Sequence, residues 1–360
     1  MKIIFFIVNK SPFNIQLADY LCDSLPSDTN VKVVAIYPMT SSRSQWGETH
    51  IHHINGVYEY PSKIYHFLYE ENPDIVIYSG YSSKGMTEAK NWAKKNNKSF
   101  FLNCSEKLWE YNVNEFVLLL KYLRFKYIAK GITGAICVSN RGMKLYQHYL
   151  NVPVLMVPYC FDMGKLRSFE IKPYDGKELT FLISGRLEAF RDPKASIRLF
   201  KELKDRNPQI KMNLIISGLG SQYEEVIQLI KELNLESCTE WKNDFKKWTE
   251  IHDIYKSAHI LLCLQEYGGW GLIVPEAMAA GLCVVASSEV DSADAYIIDQ
   301  YNGVYANKKD TKTIISTVES LIQDKDHFDE IRMNARNSMK YADVQTYAKK
   351  LACFIMNYKK

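Results

Sequence analysis

QEYGGWGLIVPEAMAAGLCVVAS, residues 265–287, decides how the rest of the chain is read. It follows the apolar run HILLCL (259–264), places three glycines in four positions (Gly268, Gly269, Gly271) and then reads Pro275-Glu276-Ala277-Met278-Ala279-Ala280. That order predicts strand, loop, helix. Pro275 suits a first helical position, because the N–H it lacks would have no partner there. The glycines let the backbone approach a ligand closely, and the free amides and positive end of the helix favour an anion. Glu276 also has a purely structural reading, since a first-turn carboxylate complements the helix dipole.

Working outward, short β-rich runs alternate with helical patterns along the whole chain, the signature of parallel sheets built from βαβ units. The first half offers strands at 2–8, 31–37, 74–80, 98–103, 134–139 and 152–158, with helices at 13–25, 84–95 and 114–130. Residues 160–178, polar and interrupted by Pro173 and Gly176, read as a linker. A second series follows: strands at 179–185, 210–218, 238–242, 259–264, 282–287 and 303–307, helices near 193–206, 222–233 and 248–257. Helices at 311–323, 327–341 and 344–358 close the chain. The predicted fold class is α/β, two doubly wound Rossmann-like domains facing across a cleft, with ligands at the carboxyl ends of the strands.

The composition agrees with two ordinary domains: 360 residues, 47% hydrophobic. A net charge of +4 and a pI near 8.4 do not mark a nucleic-acid binder, and no nucleic-acid partner is expected. Eight scattered cysteines read as reduced thiols, and the N-terminus MKIIFFIVNK is too short for a signal peptide or spanning helix. Both point to the cytoplasm.

Several residues could carry chemistry. LTFLISGRLEAFRDPK (179–194) is a strand ending in Gly185-Arg186, with Arg191 beside a helix opening at Asp192-Pro193. Two guanidinium groups there would fork a diphosphate; the alternative is two solvated arginines. IISGLGS (215–221) is another strand-turn-helix entry, in which Gly218 and Gly220 serve a ligand or simply a tight turn. Trp241, at the end of the next strand, meets a nucleobase through its backbone or packs on the sheet. His50, His52 and His53 lack a suitably spaced partner, and Asp324-Lys325-Asp326 reads as a solvated turn, so no metal is expected. NEFVLLLKYLRFKYIAK (114–130) mixes apolar and basic residues. It reads as a core helix with one basic solvated face, or as a helix lying on an anionic membrane.

Taken together, SGRLEAFRDP, IISGLGSQYEEVIQLIKELNL, IYKSAHILLCL and GGWGLIVPEAMAAGLCVVAS, in this order, resemble the family 4 (group 1) retaining glycosyltransferases of the GT-B fold. AICVSNRGMKLYQHYLNVPVLMVPYCFD is similar to that family's run into the linker. The resemblance implies an acceptor-side domain at 1–163, rejoined by a terminal helix at 342–360, and a nucleotide-sugar domain at 164–341. It implies Arg186 and Arg191 on the donor diphosphate, with Lys194 as a fallback, and Glu276 on the nucleotide ribose. Gly185, Gly218, Trp241 and the amides of Gly269, Trp270, Gly271 and Leu272 would line the donor. Three departures stand out. Gly268 occupies the place of the family's sugar-contacting glutamate, with Glu266 two residues earlier as a stand-in. The loop at 9–14 lacks a usual glycine pair, and Asp291-Ser292 replaces another.

The implied activity is retaining, metal-independent transfer of a sugar from a nucleotide-diphosphate donor, UDP-linked, to a glycan or lipid-linked glycan in cell-surface polysaccharide synthesis. No cofactor is implied, the nucleotide sugar being a substrate. The basic helix at 114–130 would give peripheral contact with the inner face of the membrane. A nucleotide-sugar epimerase-like enzyme and a catalytically inactive nucleotide- or sugar-binding protein are the alternatives, the second motivated by Gly268.

Overall fold

A computed structural model of the protein describes residues 1–37, 49, 51–81, 83–104, 114–243, 250, 252–267 and 269–360. They form two compact units. The first comprises Met1–Asp162 and Asp343–Lys360, the second Met163–Ala342.

In the first unit seven parallel strands run β1 (Lys2–Ile7), β2 (Asn30–Ala35), β3 (Val57–Glu59), β4 (Ile75–Ser79), β5 (Ser99–Cys104), β6 (Gly134–Cys137) and β7 (Val154–Met156), in the order β3-β2-β1-β4-β5-β6-β7. The central strands are apolar on both faces, as sheets covered by helices on either side require, and Phe5, Phe6, Phe100 and Phe101 are fully buried. β3 has no counterpart in the expected strands. Its three residues form an edge strand, with Tyr58 and Glu59 exposed, so no apolar run announces it. The helix Val344–Tyr358 belongs to this unit: it packs against the helix Pro12–Ser24 and sets Phe354 edge-on to Phe101 at 5.7 Å.

The helix Glu115–Ala129 is not the core helix its composition suggested. Of its described side chains Phe125 and Ile128 are buried, whereas Phe116, Leu119, Leu120, Leu123 and Tyr127 face solvent, each more than half exposed. The cause is its anchorage. The buried ammonium of Lys90 donates to the carbonyls of Tyr127 (3.1 Å) and Ile128 (3.4 Å), fixing the carboxyl end of a helix that meets the core along one narrow line.

The second unit holds β8 (Glu178–Ser184), β9 (Lys211–Ser217), β10 (Thr239–Trp241), β11 (Ile260–Cys263), β12 (Cys283–Ser287) and β13 (Val304–Ala306), all parallel, in the order β10-β9-β8-β11-β12-β13. Successive strands step outward from β8 to β10, and the chain then returns to place β11 on the other side of β8. The order therefore reverses between β8 and β11, where doubly wound sheets open a crevice at their carboxyl ends. Residues 163–177 are not a free linker. Met163, Leu166, Phe169 and Tyr174 are buried in this unit, Tyr174 edge-on to Phe328 at 5.4 Å. Of the helix expected at 248–257, His252–Tyr255 is helical; 248, 249 and 251 lie outside the described residues.

Among the described residues no helix is long and apolar enough to cross a membrane. All eight cysteines are free.

Candidate functional site

The switch point is occupied by two loops. After β8 the chain turns at Gly185 (φ +104°), where a Cβ would come within 3.2 Å of Arg191 Nη1. The left-handed backbone and this close approach both call for glycine. Arg186 is exposed and Arg191 largely enclosed; the two guanidinium groups lie 5.9 and 5.7 Å from the ring centre of Phe190. Burial, followed by the like charge of Arg186, pulls the Arg191 pKa down, while Cys263 and Glu276 act in the opposite sense. Asp192 caps the helix Pro193–Arg206, accepting from Ala195 N at 3.2 Å, and pairs with Lys308 at 2.8 Å. Lys194 turns to Glu225 instead, at 2.5 Å.

The glycines of the turn after β9 serve this loop. A Cβ on Gly218 would sit 1.8 Å from the Gly185 carbonyl oxygen, and one on Gly220 would sit 2.4 Å from that of Leu187. Leu187 N donates to Leu219 O (3.0 Å) and Gln222 N to Leu187 O (2.9 Å), so the arginine loop lies directly on the glycine turn. Trp241 packs edge-on against Tyr223 at 5.1 Å, the sheet-packing alternative for that residue.

After β11 the second loop meets the first, Glu266 N donating to Phe190 O at 2.8 Å. The Glu266 carboxylate is engaged by Lys308, which also holds Asp192. Gly268 lies outside the described residues. The Trp270 indole is buried, edge-on to Tyr296 at 5.5 Å, so the side chain anchors the loop whose amides were expected at the donor. Ser292 fixes the loop, its amide donating to Trp270 O (2.9 Å) and its hydroxyl to Gly271 O (2.7 Å). The Asp291-Ser292 departure thus supplies a clamp. Gly271 (φ +77°) has Val290 Cγ1 3.0 Å from where a Cβ would stand.

The following helix is Ile273–Ala280, preceded by Leu272, so Pro275 is its third residue and not its first. The expectation fails because Val274 N already bonds Gly271 O at 3.1 Å, starting the helix one turn's fraction earlier; proline is tolerated anywhere in that first turn. Glu276 is buried and accepts a 2.6 Å hydrogen bond from Tyr255. Burial raises its pKa to about 7, against the opposing effects of the Tyr255 hydrogen bond and the Arg191 charge.

The structure therefore brings Arg186, Arg191 and Glu276 into one electrostatic neighbourhood at the ends of β8 and β11. Ser184, Gly185, Arg186, Arg191 and Gln265 line a small cavity of about 20 Å³ there. Two of these residues carry buried donors without a hydrogen-bond partner: Arg191 at Nε, and Gln265, 2% exposed, at its Nε2 amide. Gln265, Tyr255 and Lys308 were not singled out by the sequence, and Ser292 entered only as a departure from the family's glycine pair. Only Gln265 carries a signal, a polar residue directly after an apolar strand. In the first unit the loop after β1 is ordered without the glycine pair: Asn9 Oδ1 accepts from Ser11 N at 3.2 Å and Asn14 Nδ2 donates to Asn9 O at 3.1 Å. Among the described residues no three His, Cys, Asp or Glu side chains converge as metal ligands. His52 and His53 bond through their amides to Asp19 instead.

Comparison with known proteins follows the same geography. Residues 165–338 match the model of the family described as glycosyl transferases group 1. A D-inositol 3-phosphate glycosyltransferase of Corynebacterium diphtheriae is 26% identical over 156 residues, 42% of this chain and 36% of that protein. An undecaprenol-linked glycan α-1,4-N-acetyl-D-galactosaminyltransferase of Campylobacter jejuni is 24% identical over 233 residues, 63% of this chain and 61% of its own. The chain thus spans less than two thirds of either relative. Among solved structures, Anabaena HepE in complex with UDP superposes with a TM-score of 0.75 at 15% identity, covering 99% of this chain and 100% of the other. Sucrose-phosphate synthase from Thermosynechococcus elongatus gives 0.71 at 15% identity, over 99% and 98%. Residues 165–338, nearly the whole of the second unit, thus match the group 1 glycosyltransferases, and the chain carries the GT-B fold of these solved structures.

Proposed function

We propose that the chain transfers a sugar from a UDP-linked donor to a hydroxyl of a glycan or lipid-linked glycan, with retention of anomeric configuration and without a metal. The carrying observation is the convergence of Arg186, Arg191 and Glu276 at the switch point, where two buried donors, Arg191 Nε and Gln265 Nε2, have no hydrogen-bond partner. In this reading the guanidinium groups take up the charge developing on the leaving diphosphate, while Glu276 holds the ribose. Fixed charges act more strongly where burial excludes water, as it does around Arg191 and Glu276, and in this reading they take the place of a metal. UDP in Anabaena HepE and the lipid-linked acceptor named for the Campylobacter relative support the choice of substrates.

Arg186→Ala is expected to lower turnover with a panel of UDP-sugars and glycan acceptors by at least about 100-fold. Unchanged melting would show the fold intact, and turnover near that of wild type would refute the assignment. The reading as an inactive binder keeps one observation in its favour: Glu266, the stand-in carboxylate, is tied to Lys308. UDP binding without turnover across the panel would establish it.

The exposed stripe Phe116, Leu119, Leu120, Leu123 and Tyr127, with Lys126 and Lys130 beside it, supports peripheral contact with an anionic cytoplasmic membrane surface. Co-sedimentation with vesicles containing phosphatidylglycerol at low salt tests this. No binding there would remove the membrane from the proposal.

A further inference from the structure

A carboxylate buried as deeply as Glu276 must be oriented as well as paired. The last torsion of a glutamate is soft, so an unheld carboxyl group would turn freely in its pocket. Tyr255 removes that freedom. It lies on the short helix His252–Tyr255, 2% exposed, and its hydroxyl donates to Glu276 Oε2 at 2.6 Å, the length of a charge-assisted O–H···O bond. Tyr255 is itself fixed by its burial beneath the helix Ile273–Ala280.

We propose that Tyr255 is a positioning residue for nucleotide binding: it ties down Oε2 of Glu276 so that Oε1 faces the ribose hydroxyls of the donor. The inference rests on the reading of this site as a nucleoside-diphosphate pocket. Tyr255 touches no substrate and acts through Glu276 alone. Its direction as a donor is fixed because burial and the neighbouring Glu276 raise its pKa well above the ordinary tyrosine value, keeping the proton on its oxygen. The division of labour that follows is specific. The arginines read the diphosphate and are indifferent to Tyr255, whereas recognition of the ribose depends on it.

Calorimetric titration of wild type and Tyr255→Phe with UDP, 2′,3′-dideoxy-UDP and inorganic pyrophosphate separates these roles. Tyr255→Phe should weaken UDP about tenfold, the share of one hydrogen bond to a charged group, and leave dideoxy-UDP and pyrophosphate unchanged. In a Glu276→Ala background the change Tyr255→Phe should weaken UDP no further, because the tyrosine acts through that carboxylate, and Tyr255→Leu, read as the ratio of UDP to pyrophosphate affinity, provides the test should Tyr255→Phe fold poorly. Equal weakening of all three ligands, or UDP binding unaltered by the loss of the Tyr255 hydroxyl, would overturn the inference while leaving the donor site standing. Wild type binding neither UDP nor pyrophosphate would overturn the donor site itself, and the inference with it.

Discussion

At the residue scale, Gly218 shows how tightly the arginine loop is seated. The 1.8 Å separation between a Cβ there and the Gly185 carbonyl oxygen cannot be relieved by rotating a side chain, because both partners are backbone. Gly218→Ala is therefore expected to cost about 1–3 kcal/mol in a urea melt, as overpacking does, and to weaken UDP beyond that loss by displacing Arg186. Glu276 gives a second prediction, with its sign set by linkage. Its pKa in the folded protein is raised to about 7, so the stability tied to its protonated form is present at pH below the ordinary carboxylate value and is lost as pH rises through 7. Glu276→Gln should therefore gain in melting temperature relative to wild type between pH 5 and 8 in the absence of nucleotide. A constant difference across that range would contradict the assignment. That Arg186, Arg191 and Glu276 would lie near one another was legible in the sequence, since each follows a strand end of one doubly wound sheet. The spacing alone left the arginines as readily solvated, and only the family resemblance gave the three a common role. Tyr255 was not legible, since nothing in a linear pattern links it to a carboxylate 21 residues away.

At the element scale, the pairing of β8 with β11 carries the switch point. His259 stitches it: Thr180 N donates to His259 Nδ1 at 3.1 Å and His259 N donates to Thr180 O at 2.8 Å. Burial, and then the charge of Arg332, lower the His259 pKa to about 4. A histidine depressed in this way supports the fold above its unfolded value near 6.5 and ceases to do so as pH falls through 4. His259→Ala should lower stability by about 1–3 kcal/mol at pH 7.5, by orphaning the Thr180 amide, with the difference shrinking in melts taken towards pH 4. Ser292→Ala removes the hydroxyl from Gly271 O but keeps the amide bond to Trp270 O, and should weaken UDP with little change in melting temperature. In the second unit β8, β9, β11 and β12 were legible as apolar runs bounded by turns, and β10 and β13, of three residues each, from the alternation of strands and helices around them. β3 was not, because Val57–Glu59 lies at the sheet edge with Tyr58 and Glu59 exposed and no apolar run about it, and the core reading of the helix Glu115–Ala129 failed because composition does not say which face meets a core.

At the scale of the whole molecule, two sheets that share the order of six strands, the first with a seventh at its edge, each under its own helices, divide the chain into units with separate cores. Their alternation of strands and helices made the fold class readable from residue 1 onward. The crossing point was less so, since the polar stretch after Asp162 hides four buried side chains at long intervals, Met163, Leu166, Phe169 and Tyr174. The central claim, that a nucleoside diphosphate is held where the strand order of the second sheet reverses, concerns one unit and two loops. Hydrogen exchange with and without saturating UDP tests it most directly. The account predicts that the largest slowing falls on residues 184–192 and 265–276, and that Arg186→Ala abolishes it. Slowing confined to residues 1–162, or none in those two loops at saturation, would contradict it.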